Sequence, residues 1–154
     1  MTDATTLSGA LVSLHFTPSH VQGEVPIGWV RPREGGPWPA VLLLHGLTSN
    51  HWANMDWALK LAEMGLCSLL VEAPQHGKRS LSGAPDMGVR AHSPLPSDRK
   101  WFLELMEGFA VDCVSVLDWA EAQDAIDSVP GFGLIGASLG GSAAMMLMHT
   151  EERI

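Results

Sequence analysis

The run Gly136-Ala137-Ser138-Leu139-Gly140-Gly141 sets a serine among small residues where two apolar patterns meet. Residues 132–137 read as a short strand and 139–149 as a helix. In that context G-x-S-x-G makes a sharp strand-to-helix turn that lifts the hydroxyl clear of the sheet as a nucleophile. Strand and helix crowd two places either side of the serine, and Gly136 and Gly140 supply the lack of bulk that this requires. The helix N-terminus would also turn partial positive charge toward a developing oxyanion. The plainer reading is a Gly-rich turn that lets a helix pack on a sheet. A phosphate-cradling loop fits poorly: no Lys follows, and no G-x-G-x-x-G stands in the needed place.

Two further clusters carry candidate chemistry. His45-Gly46-Leu47-Thr48-Ser49 closes the apolar run 40–44, and residues 72–80, EAPQHGKRS, follow the apolar run 66–71. Ser49 reads as a turn or cap residue rather than a nucleophile. His76 reads as a turn-stabilising residue, with a place in a substrate pocket as the alternative. The spacings of His45, His51, His76 and His92 match no compact ligand motif, so neither a metal nor another cofactor is expected.

These clusters need a frame. Residues 10–16 and 24–30 read as two strands around a polar turn at 20–23. The continuous apolar runs 40–44 and 66–71 suit strands buried on both faces, as in a parallel sheet. Between them Trp52, Met55, Leu59 and Ala62 form a helical stripe, capped by Ser49 or Asn50 and stopped at Gly65. Such a strand–helix–strand unit has the size of a βαβ crossover. Residues 74–98 are irregular, with four Pro and three Gly, and five of the nine basic residues fall in 78–100. That segment reads as a lid or pocket wall, or else as a solvated loop. Over 100–126 a long helix is expected from Leu103, Met106, Ala110, Cys113, Leu117 and Ala120; Gly108 allows it to break in two, and Pro130 and Gly131 end it. The order implies an α/β fold, largely parallel, with an antiparallel start and helices on both faces.

Composition bounds the partners. The 154 residues suit one domain, 46% of them hydrophobic and only 17% charged, against about 25% in typical domains. Part of the surface is therefore expected to be hidden against something else. A net charge of −8 argues against nucleic acid and anionic membranes, which call for Lys and Arg. No apolar run approaches the length of a membrane span, and the first residues lack a signal-peptide pattern, so a cytoplasmic location is expected. Cys67 and Cys113 sit in apolar patterns without a C-x-x-C and read as buried thiols.

Three blocks, HGLTSN, VEAPQHGKRS and GASLGG, occur in this order over roughly residues 24–150. Together they resemble the α/β-hydrolase superfamily. The second block is similar to the D-x-P-x-H-G-x-S stretch of its esterase, dienelactone-hydrolase-like and prolyl-oligopeptidase-like members, with Glu72 for Asp and Ser80 one place late. A dienelactone hydrolase proper would carry Cys where this chain has Ser138. The resemblance implies a serine hydrolase of the carboxylic-ester type acting on a small-molecule ester or related acyl substrate. It implies backbone oxyanion donors at Leu47 and Leu139, with Gly46, Gly136, Gly140 and Gly141 shaping the turns. It makes His45 a turn residue rather than the base, because the superfamily's base follows the nucleophile in the chain.

Only sixteen residues follow Ser138, and His149, Glu151 and Glu152 are the acid and base candidates among them. They fall at or beyond the far end of the helix, about 15–20 Å away. The expectation is thus one α/β-hydrolase domain over 1–154 that lacks its C-terminal strands and helices, with the triad acid and His absent. Such a chain alone would be inactive. The alternative is a non-catalytic module that pairs an open sheet edge with another chain, as a homo-oligomer or swapped dimer.

Overall fold

The computed structural model describes residues 4–80 and 99–154. Seven strands, three α-helices and one 3-10 turn matter here. Strands β1 (Thr5–Leu7), β2 (Ala10–Pro18), β3 (Glu24–Pro32) and β4 (Trp38–Leu44) come first. A 3-10 turn at His51–Asn54 leads into α1 (Met55–Glu63), followed by β5 (Cys67–Val71). Helix α2 (Arg99–Glu121), β6 (Ile126–Asp127), β7 (Gly133–Gly136) and α3 (Leu139–Thr150) complete the chain. One mixed sheet runs β1-β2-β3-β5-β4, and β6 and β7 share the far side of β4.

The expectation of a mostly parallel sheet needs correcting. The β1–β2, β2–β3 and β3–β5 ladders are antiparallel, and only the three ladders made by β4 are parallel. The expected antiparallel N-terminal hairpin is present as β2 and β3. β3 pairs directly with β5, so the antiparallel half continues into the centre of the sheet.

Period-two alternation sends the central strands' side chains to two cores. Ala40, Leu42 and Leu44 of β4 and Cys67, Leu69 and Val71 of β5 face α2 and α3. Val41, Leu43 and Leu70 face α1. A strand covered on both faces has no polar side to show, which is why 40–44 reads as unbroken hydrophobicity. Helices thus cover both faces, as expected.

Helix α1 follows its stripe: Ala58 and Ala62 are buried, and Met55, Leu59 and Trp52 pack beside them. Asn50 caps the 3-10 turn ahead of α1, its side chain accepting the Trp52 amide at 2.9 Å, whereas α1 itself starts after Asn54 without a side-chain cap. Gly65, at φ 82°, sits just past the helix end in the left-handed region.

Helix α2 departs from its expected face and length. It ends at Glu121, ahead of β6 rather than at Pro130. Leu103 is 51% exposed, and the buried face begins at Leu105 and runs through Phe109, Cys113, Val116, Leu117 and Ala120. The helix is also continuous through Gly108. A Cβ there would lie 3.2 Å from Val21 Cγ2 and 3.5 Å from Pro74 Cγ. The glycine admits two loops against the helix instead of breaking it. Both cysteines are free and buried, and burial pushes the Cys67 thiol up to about 11, leaving it unreactive. No helix among the described residues is long and apolar enough to cross a membrane.

Candidate active site

Strands β5, β4 and β7 run parallel and adjacent, so the turns that leave their C-terminal ends gather on one edge of the sheet. Residues 45–51 follow β4, 72–80 follow β5, and Ala137 and Ser138 follow β7. All three sequence blocks therefore lie on the same edge.

The turn after β7 is held by backbone. Ala137 N donates to Leu44 O at 3.1 Å, and Gly140 N donates to His45 O at 3.1 Å. Ser138 adopts φ 50° and ψ −112°, a strained conformation for a residue with a Cβ. Its side chain is exposed and makes no capping hydrogen bond. A Cβ on Gly136 would run into the Gly140 carbonyl, and one on Gly140 would run into the Leu44 and His45 carbonyls. Both positions therefore demand glycine on steric grounds alone. Gly141 is less crowded, its nearest neighbour being Gly136 O at 3.3 Å.

Gly46 lies against this turn, its Cβ position 3.6 Å from Ser138 Cβ and 3.5 Å from Ala137 O. Leu47, half-buried on the core, follows it, and Thr48 sits at φ 65°. Neither the Leu47 nor the Leu139 amide donates to a loop or cap carbonyl among the described residues.

Behind these turns lies a buried polar cluster. His45 donates from Nδ1 to Gly46 O at 2.8 Å, and its Nε2 accepts the Ala73 amide at 3.1 Å. Glu72, 1% exposed, receives the His51 amide at 3.2 Å on Oε1 and His51 Nδ1 at 2.5 Å on Oε2. Glu72 Oε1 is also 3.1 Å from His45 Nε2, which can donate to it only when the His45 ring is charged. Burial opposes ionisation of Glu72, but hydrogen bonds from His45 and His51 and their charge outweigh it and hold the carboxyl down at about 2. A cavity of about 310 Å³ opens beside this cluster, lined by Asn50, His51, Trp52, Glu72, Gly77 and Lys78.

His76 is 1% exposed and donates from Nδ1 to Pro74 O at 2.8 Å. It packs edge-on against His45, with ring centroids 5.2 Å apart. Burial lowers its pKa, aided by the nearby His45 and Arg79 and only partly offset by Pro74 O and Glu72. The ring bonds its own turn, as a turn-stabilising residue would.

Arg79 overturns part of the basic-segment reading. It is 6% exposed and pairs with Asp112 of α2, 0% exposed, at 2.7 Å. It also donates to Glu72 O at 3.1 Å, Ser19 Oγ at 2.9 Å and Gln22 O at 3.2 Å. This side chain is a structural bolt, not a lid charge. Lys78 stays exposed, above the Phe16 ring, and Lys100 pairs with Glu104 along α2. Residues 81–98, and with them Arg90 and His92, lie outside the described residues.

His51 and Asp112 were not singled out by sequence reasoning as members of this cluster. Asp112 left a signal, as an acid interrupting the apolar face of α2. His149 and Glu152 lie at the far end of α3 from Ser138, and Glu151 there is bound to Arg153 at 2.8 Å. Among the described residues no group of three or more His, Cys, Asp or Glu could hold a metal.

No protein-family model matches the chain, and no curated protein does. Solved structures do. The chain is similar to a cold-adapted esterase from an Arctic intertidal metagenomic library, with TM-score 0.75 and 20% identity over 99% of this chain and 61% of that one. An acetyl xylan esterase from Paenibacillus sp. R4 gives TM-score 0.74 and 18% identity over 99% of this chain and 50% of that one. A bacterial heroin esterase gives 0.65 and 21% over 97% and 43%. The chain therefore spans less than two thirds of the length of these structures. At such identities the likeness establishes the fold alone: the chain has the α/β-hydrolase fold.

Proposed function

We propose that the chain carries the nucleophile half of a carboxylic-ester hydrolase site. The observation that carries this reading is Ser138, exposed at φ 50° between two sterically required glycines and against the Gly46 turn. Ser138 Oγ attacks the carbonyl carbon of a small-molecule ester. The Leu47 and Leu139 amides bind the oxyanion that forms, aided by the N-terminus of α3. Collapse of the tetrahedral intermediate expels the alcohol and leaves an acyl-serine, which water hydrolyses. His45, Gly46, Gly136, Gly140 and Gly141 shape the two turns, while His76 and Ser49 lie in the surrounding loops.

Both proton transfers need a base. Among the described residues no side chain hydrogen-bonds the Ser138 hydroxyl, and without a base that hydroxyl is a weak nucleophile. The esterases named above, longer than this chain, support the ester class. A fluorophosphonate probe tests the reading on the whole protein. Labelling at Ser138 that disappears in Ser138→Ala supports it, and absence of labelling refutes it.

A second reading has its own observation. Among the described residues β7 pairs only with β4, and its Ile135 is 43% exposed. An open apolar edge favours pairing with another strand, including one from a second copy. A monodisperse monomer in light scattering at high concentration would count against this reading.

A further inference from the structure

We infer that Glu72 is a positioning residue for the 45–51 turn: one buried carboxylate binds the His51 end of the loop that presents the Leu47 amide and lies against His45 at its start. The inference rests on the reading of Leu47 as an oxyanion donor and adds the device that fixes it.

The geometry is that of a clamp. Oε2 takes His51 Nδ1, while Oε1 takes the His51 amide and faces His45 Nε2. His45 begins the turn and its carbonyl holds Gly140, the second residue of α3. His51 ends the turn where the 3-10 segment starts. Between the two, Thr48 is held at φ 65°, a conformation that persists only where the surroundings impose it. The chain also makes room for the carboxylate. A Cβ on Gly77 would collide with it, the Glu72 Cδ lying 2.8 Å from that position.

Proton inventory makes the carboxylate hard to replace. An ionised carboxylate only accepts, so His51 must carry its ring hydrogen on Nδ1. Glutamine keeps the size but offers an NH2 on one side, which cannot accept from His51. The displaced donor is then buried without a partner, and the loop gains freedom to move.

Amide hydrogen exchange and proton NMR test this on the protein itself. In Glu72→Gln, amides of 46–51 should exchange about tenfold faster, while those of β5 and α2 keep their protection. The unsubstituted protein should show a strongly downfield His51 ring N–H signal, and Glu72→Gln should lose it. If Glu72→Gln fails to fold, His51→Asn removes one arm of the clamp and should loosen 48–51 alone. Unchanged exchange in 46–51, or no downfield ring proton, overturns the clamp. Fluorophosphonate labelling separates the two inferences. Loosening of the turn in a protein whose Ser138 never labels refutes the hydrolase reading and leaves the clamp standing. Labelling that persists undiminished in a loosened turn shows that the clamp does not place the Leu47 donor.

Discussion

The two flanks of β4 treat polarity in opposite ways. On the β5 side Glu72, Arg79 and Asp112 are all at most 6% exposed and are paired with His51 or with each other. On the other flank β7 pairs with no strand but β4 among the described residues. Ser138 stands exposed in a strained turn, and Met145 and Met148 of α3 are 75% and 67% exposed. The β5 side has spent its polar groups on holding loops together. The β7 side leaves the Ser138 hydroxyl exposed and without a capping hydrogen bond. A rigid flank beside it suits the Ser138 turn, because a serine in strained geometry stays there only if its neighbours cannot relax.

The contrast can be broken most forcefully at Arg79. Arg79→Ala leaves Asp112 charged and buried without its partner and should cost about 3–5 kcal/mol in urea unfolding. Met148→Gln on the other flank should stay within about 0.5 kcal/mol. Equal losses at the two sites would erase the distinction.

Acid should attack the β5 flank next. Glu72 titrates lower in the folded protein than its ordinary 4.5, so its stabilisation is complete above pH 4.5 and lost as pH falls toward 2. The His76 pKa is also lowered from 6.5, so the folded state favours the neutral ring, and that contribution fades as pH drops below 6.5. Thermal melts should therefore fall in two stages. His76→Gln should flatten the first and Glu72→Gln the second.

The turn beside Ser138 comes third. Gly140→Ala drives a methyl into backbone carbonyls that no rotamer change can move, with Leu44 C at 2.6 Å and His45 O at 2.7 Å. A loss of about 1–3 kcal/mol is expected, measured by chemical denaturation. The smallest effect has the opposite sign. Ser138→Gly relieves the positive φ and should raise stability by about 1 kcal/mol while removing the hydroxyl. Destabilisation by that substitution would show that Ser138 is not strained for function.

Much of the frame was legible in one dimension. The strands at 40–44 and 66–71 could be read because burial on both faces leaves an unbroken apolar run. The Ser138 turn could be read because its crowding admits only glycine at 136 and 140, and that spacing is local. Misreadings arose where distant partners decide. Leu103 looked like core because helical spacing gives a period but not which of two adjacent faces meets the sheet. Gly108 looked like a break because the loops that press on it, at Val21 and Pro74, are far off in sequence. The antiparallel β3–β5 ladder was invisible because strand order depends on which edges meet and not on either strand's residues.

The sequence by itself therefore determined the α/β pattern, the glycine-framed serine and the three blocks that share one sheet edge. Only the tertiary structure decided what Arg79, Glu72 and His51 do. A charged side chain written in sequence looks the same whether it meets solvent or a buried partner. The free energy that separates those fates comes from desolvation and pairing, and these exist only once the fold has brought residues such as Ser19 and Asp112, 93 positions apart, into contact.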